Sequence, residues 1–211
     1  MSDFLSDATQ LRMIRLYLYL KTLDQDWQDI KLTSDELAKA IQSTAATVRK
    51  DLSHLKCSAE GWGYQANRLI PKLKESLLLK RSVKTGIAGL EPWGSLLLSR
   101  KGFLPGVEVA AGFDSSMNKI EMTSSSIPLH PSYEIAEVFC RMELLLGIIS
   151  SYGDNAQQTA DRMIKGGAIA ILNLTPCPIR VPENIFMYQS DFQSGILKLL
   201  SSINGSLLNK E

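Results

Sequence analysis

The stretch TGIAGLEPWGSLLL, Thr85–Leu98, decides how this chain is read. An apolar run, VKTGIAG (Val83–Gly89), enters it and GSLLLSRKG (Gly94–Gly102) leaves it, which spells strand, tight turn and short helix. Between them Gly89-Leu90-Glu91-Pro92-Trp93-Gly94 aligns with G-x-G-x-x-G, the turn that holds a dinucleotide pyrophosphate. In such a turn the first glycine permits the bend, the second lets the backbone approach the phosphates, and the third lets helix and strand pack closely. Here the first and third stand, and the second is Glu91. A carboxylate about 4 Å from a phosphate at an effective dielectric near 20 costs roughly 4 kcal/mol, where about 1.4 kcal/mol is already tenfold in affinity. Pro92 also removes an N–H near the anion. The other half of the fingerprint is present. Asp114 ends the run VEVAAGFD (Val107–Asp114), 25 residues after Gly89, near the spacing of a carboxylate that accepts from ribose hydroxyls. Two readings stay open: a dinucleotide site, or a domain of that shape that binds none.

Working outward, the pattern alternates. YEIAEVFCRM is helical, ELLLGIISS (Glu143–Ser151) reads as a strand, NAQQTADRMIKGG (Asn155–Gly167) as a helix ended by two glycines, and AIAILNL as a strand. Alternation of this kind predicts a parallel sheet covered on both faces. A last helix, Phe192–Ile203, carries Ile196, Leu199, Leu200 and Ile203 on one stripe.

Upstream, residues 1 to about 80 read as helices with tight turns. Leu11, Ile14, Leu18 and Leu20 to Leu23 recur near helical spacing and predict a first helix over Asp7–Leu23. LTSDELAKAIQ is a helix start, with Thr33 as N-cap and Glu36 three residues on, and Leu37, Ala40 and Ile41 toward the core. TAATVRKDLSHL (Thr44–Leu55) follows, with Val48, Leu52 and Leu55 on its apolar face and Thr47, Arg49, Lys50, Ser53 and His54 elsewhere. CSAEGWGYQ holds Gly61 and Gly63 and suits a short hairpin; NRLIPKLKESLLL (Asn67–Leu79) is a helix with a proline near its start. Three helices and a glycine-hinged hairpin make a winged-helix plan, whose second helix of the helix-turn-helix pair enters the DNA major groove. Arg49 suits guanine edges or phosphate, Lys50 phosphate, and Thr44 and Thr47 a phosphate at the helix N-terminus. The same residues equally suit a solvated helical face.

Composition sets few limits. Lys+Arg number 23 against 22 Asp+Glu, so no basic excess demands or forbids a nucleic acid, since binding faces are local. Cys57, Cys140 and Cys177 are far apart and only two histidines occur, which argues against a structural metal site and points to a reducing, cytoplasmic setting. Cys140, among Val138, Phe139 and Met142, reads as core. MSDFLSDATQ is not a signal peptide, and no run of about 20 apolar residues predicts a membrane span. His54 lies in the helix assigned to DNA and His130 lacks a recognisable acid partner, so an enzyme is not expected.

SDATQLRMIRLYLYL, STAATVRKDLSHL, GWGY, the interrupted glycine turn, AAGFD, AILNLTP, VPENI and SDFQSGILKLL occur in one order along nearly the whole chain. In that order they resemble the Rex family of bacterial redox-sensing transcriptional repressors. The resemblance implies an N-terminal winged helix (1–80), a Rossmann-like domain (81–190) and a C-terminal, domain-swapped dimerisation helix (191–211). It further implies a homodimer that binds double-stranded operator DNA and senses the NADH/NAD+ ratio, NADH releasing the DNA. On that match the DNA contacts are Thr44, Thr47, Arg49, Lys50, Ser53, His54 and Lys56, with Trp62 and Tyr64 from the wing. The cofactor contacts are Gly89, Leu90, Glu91, Pro92, Trp93, Gly94, Asp114, Ser150, Ser151, Thr175 and Pro176. Arg12 matches a family arginine that can pair across subunits with an aspartate, here Asp191, in the redox switch; Arg100 stands where the family has a switch tyrosine. Glu91, Arg100 and the Ala59-Glu60 wing depart from the family pattern. Arg100 is placed to pair with Glu91 or to face an anionic ligand. The orientation of Glu91 decides between a working sensor and a relative that has lost NADH.

Overall fold

The computed structural model describes residues 6–23, 30–79, 81–99, 105–150, 155–190 and 192–208, without the side chains of 192 and 205–208. Arg100, Ser151 and Asp191 lie outside the described residues. The chain divides into two compact units, Met1–Arg81 and Ser82–Glu211.

The first unit is α1 (Asp7–Thr22), β1 (Lys31–Leu32), α2 (Ser34–Ala40), α3 (Ala45–His54), β2 (Tyr64–Gln65) and α4 (Ala66–Ser76). Its core takes Met13, Leu16, Tyr17 and Leu20 from α1, whereas Leu11, Ile14 and Leu18 are exposed. The helix carries two apolar stripes: of the residues expected to mark it, Leu20 belongs to the inner stripe and Leu11, Ile14 and Leu18 to the outer one. The capping box of α2 forms as expected: Thr33 Oγ1 accepts from Glu36 N at 3.1 Å, and Glu36 Oε2 accepts from Thr33 N at 2.7 Å. These bonds hold the Glu36 carboxyl below the ordinary glutamate range. Ala38 is buried with Leu37 and Ile41, and Ala40, expected inside, is exposed. Thr44 caps α3, whose Val48 and Leu52 are buried and whose Leu55 is half-buried.

The expected hairpin is a single bridge. Glu60 N donates to Gly63 O at 2.7 Å around Gly61, at φ +66°. The strand that follows pairs instead with Lys31–Leu32, antiparallel, Lys31 opposite Gln65 and Leu32 opposite Tyr64. Gly63 is needed there because a Cβ would stand 2.8 Å from the Leu32 carbonyl oxygen. The proline of α4 is in mid-helix, at Pro71, and the helix stops at Ser76, with Leu78 at φ +55° just beyond.

The second unit runs β3 (Val83–Ala88), α5 (Trp93–Ser99), β4 (Val107–Asp114), α6 (Met117–Met122), β5 (Leu129–Pro131), α7 (Ile135–Met142), β6 (Leu146–Ile149), α8 (Ala156–Lys165), β7 (Ala170–Asn173), β8 (Phe186–Gln189) and α9 (Phe192–Leu208). The six strands are parallel in the order β5-β4-β3-β6-β7-β8. Numbered within the sheet this is 3-2-1-4-5-6, the doubly wound dinucleotide-binding order. Ile87, Leu97, Leu98 and Ile148 form one core layer, while Phe113, Val138, Phe139 and Met163 form another. α6, β5 and β8 are short elements that the sequence reading passed over.

Two expectations are corrected here. Val138 and Phe139 turn inward, which leaves Cys140 exposed on the outer side of α7. His130 does have an acid partner: its Nδ1 lies 3.3 Å from Glu134 Oε2, one helical turn on, with its ring against Phe113. Along α9 every described side chain, residues 193–204, is exposed, Leu199 at 66% and Ile203 at 54%. Among the described residues no helix is long and apolar enough to cross a membrane, and no cluster of three or more His, Cys, Asp or Glu could hold a metal.

Candidate functional site

The order of the sheet reverses between β3 and β6, and ligands of such sheets bind in the crevice beyond the carboxyl ends of the strands at that point. Gly89 leaves β3 at φ +98°, a left-handed conformation that favours glycine. Its N–H donates to Phe113 O at 2.8 Å, which ties the turn to β4. Gly94 opens into the turn so closely that a Cβ would stand 1.7 Å from Gly89 O. Ser95 Oγ donates to Leu90 O. The first and third glycines therefore perform the steric roles that the fingerprint assigns them.

Asp114 is buried at the end of β4. Its Oδ2 accepts from Leu90 N at 3.0 Å and its Oδ1 from Ser116 N at 2.9 Å. Two oxygens with one backbone donor each keep lone pairs for further donors. The carboxylate is thus fixed before any ligand arrives.

Glu91 is exposed and turned to α6, where its Oε1 meets Lys119 Nζ at 2.5 Å. The bond to Glu91 raises the lysine above its ordinary value, and the field of Asp114 acts in the same direction. Both residues line a cavity of about 390 Å³, together with Leu90, Pro92, Asn118, Met122 and Thr123. Among the described residues the partner of Glu91 is Lys119, and the pairing expected of Arg100 lies outside them. The sequence reading missed it because α6 has six residues and no apolar period.

Other expected contacts are engaged within the protein. Ser150 is buried, and its Oγ donates to Gly89 O at 2.7 Å, pinning the turn across the crevice. Thr175 is buried too, its hydroxyl donating to Asn173 Oδ1 at 2.9 Å. Asn173 Nδ2 donates to Cys177 O at 2.7 Å and to Gln189 Oε1 at 2.8 Å, and Gln189 Nε2 donates to Thr175 O at 2.5 Å. These bonds shape the loop after β7 and leave Pro176 exposed. Ser150 and Thr175 thereby hold the backbone of the crevice. Asn173 and Gln189, absent from the expected set, are the amides that close the loop.

In the first unit, Thr44, Thr47, Arg49, Lys50, Ser53 and His54 share α3 and its cap. Thr44 Oγ1 accepts from Thr47 N at 3.1 Å, and Arg49 Nη1 donates to Ser34 Oγ at 2.8 Å, which steadies a side chain that is otherwise exposed. Lys50, Ser53, His54 and Lys56 are exposed, and Trp62 stands 65% exposed at the turn. Tyr64 is corrected: at 7% exposure it packs into the core, because its place on β2 turns it inward opposite Leu32. Glu60 is paired with Arg68. Arg12 is engaged within its own unit. Its Nε and Nη2 hold the two oxygens of Asp51, on α3, at 2.5 and 2.9 Å, and Asp51 is 3% exposed. Half-burial pushes the Cys57 thiol up, against the pull of Lys72, so it is not poised as a thiolate.

Residues 5–53 match the family model described as "Putative DNA-binding protein N-terminus". The chain is 28% identical over 195 residues to the redox-sensing transcriptional repressor Rex of Limosilactobacillus reuteri (strain DSM 20016), covering 92% of this chain and 91% of that one. It is 30% identical over 185 residues to that of Syntrophobacter fumaroxidans (strain DSM 10017 / MPOB), covering 85% and 88%. Among solved structures, RSP, a Rex-family repressor, matches in complex with β-NAD+ and operator DNA at TM-score 0.83 and 24% identity, over 99% of this chain and 97% of that one. RSP in complex with β-NADH matches at 0.81, over 99% of both chains. These relatives are named as repressors, and the shared architecture is the winged helix with a parallel α/β domain. With 30% identity across most of both lengths, the chain belongs to the Rex family of redox-sensing transcriptional repressors.

Proposed function

We propose that this repressor binds a palindromic operator as a homodimer and is released by NADH bound in the crevice at Gly89–Gly94. The observation that carries the sensing half is Asp114, fixed by two backbone N–H groups at the end of β4 beside a turn whose first and third glycines are retained. RSP is bound to β-NAD+ together with operator DNA in one structure and to β-NADH in another, which supports the same ligands here. The reading half rests on α3. Arg49 suits base edges or phosphate, Lys50 suits phosphate, and Thr44, Thr47, Ser53, His54, Lys56 and Trp62 complete the contact face. The exposed apolar side chains of α9 suit a helix that packs on a partner subunit. Such a repressor works in the cytoplasm.

Selection from a random duplex pool, followed by anisotropy titration of the selected site, tests both halves. NAD+ leaves the complex intact, and NADH dissociates it. Lys50→Ala lowers the slope of log affinity against log salt by about one. A selected site whose affinity NADH leaves unchanged would refute the sensing half. Failure to select any site would refute the reading half.

A further inference from the structure

The mouth of the crevice carries a carboxylate where the fingerprint has a glycine, and a second, Asp114, behind it. An entering pyrophosphate adds more negative charge. Among the described residues that line the cavity beside Glu91, Lys119 is the one cation, and Arg162 lines the neighbouring pocket with Asp114. We propose that Glu91 and Lys119 form a charge latch over the adenosine end of the crevice, with Lys119 as the positioning residue that makes a dinucleotide acceptable despite Glu91. This rests on the dinucleotide reading above and adds to it the residue on which affinity depends.

The geometry carries the argument. The 2.5 Å contact joins the Glu91 carboxylate to Lys119 of α6, and both residues line the same cavity. Thr123 N donates to Lys119 O at 3.0 Å and Lys119 N to Ser116 Oγ at 3.4 Å, so the lysine backbone is held by the cap and end of α6. The bond to Glu91 and the field of Asp114 both raise the lysine above its ordinary value. Lys119 and Glu91 keep 44% and 52% of their side-chain surface exposed. Exposed pairs contribute little to stability, so the pair acts through the placement of charge. A merely structural role would move the melting temperature and leave nucleotide affinity alone; a latch does the reverse.

The test is calorimetric titration with NADH of the full-length protein and of Glu91→Gln, Lys119→Met and the double variant, with melting temperatures alongside. Lys119→Met is expected to weaken NADH by about tenfold or more and Glu91→Gln to tighten it, with the double variant back near the parent, all at nearly unchanged melting temperature. NADH bound equally by all four proteins overturns the latch and leaves the sensing function standing. NADH bound by the two Glu91→Gln proteins alone shows an uncompensated glutamate and overturns the role of Lys119. NADH bound by none removes the sensing function and the latch together.

Discussion

Arg12→Ala is expected to destabilise the N-terminal unit by about 3–5 kcal/mol, the penalty for leaving a buried carboxylate without its partner. Asp51 has almost no contact with solvent, and Arg12 reaches both of its oxygens in a bidentate grip, braced by Thr9 Oγ1 at 3.0 Å from Nη2. A domain of this size loses roughly 4–8 °C of melting temperature per kcal/mol, so the variant melts tens of degrees early. Arg12→Met with Asp51→Leu recovers most of the loss, because the pair is then replaced by apolar packing. Thermal unfolding of the single and double variants checks this. A single variant within about 1 kcal/mol of the parent would mean that water reaches Asp51. Asp51 belongs to α3, so the pair ties the helix proposed to read DNA to α1.

Gly94→Ala is the second large effect. The added Cβ would stand 1.7 Å from Gly89 O and 2.8 Å from Gly89 C, with Ser150 Oγ at 3.0 Å. Two of these atoms are backbone, so the turn itself must move. Overpacking typically costs 1–3 kcal/mol, and a backbone obstacle puts this site at or above about 3. Opening the turn also breaks the Ser150–Gly89 bond that spans the crevice. The expected result is a lowered melting temperature, faster amide exchange over 85–99, and NADH affinity down by about a hundredfold or more, a loss of roughly 2.7 kcal/mol. Unchanged exchange in that segment would show that the turn accommodates the methyl group and that close helix–strand packing is not what Gly94 provides.

Much of this fold is legible in the chain because its signals are local. The Thr33–Glu36 box lies within four residues and forms as read. Val107–Asp114 is a strand between the limits its apolar run suggests, and the segment order placed the glycine turn beside Asp114. What stayed hidden depends on partners distant in sequence. Asp51 sits in a polar string beside Lys50 and gives no sign that it is buried; only the arrival of α1 reveals it. Lys119 is one of many lysines until the cavity brings Glu91 to it. In α1 two apolar stripes compete, and periodicity cannot say which meets α4. Cys140 differs because its neighbours in sequence turn inward and leave it outside, whereas the partner of His130, Glu134, lies only four residues on.

The strand order also governs how the protein comes off the ribosome. The helical unit is made first, so it can assemble before the sheet is complete. The parallel sheet has a different timetable. Its central strand, β3, needs β6 on one side, and Thr85 has no neighbour there until Leu146 has been synthesised. Until then the nascent chain presents one unpaired edge of a central strand to whatever is nearby. The DNA-reading half is therefore complete while the sensing half is still vulnerable, and slowed translation between the two strands is where misfolding of this repressor should begin.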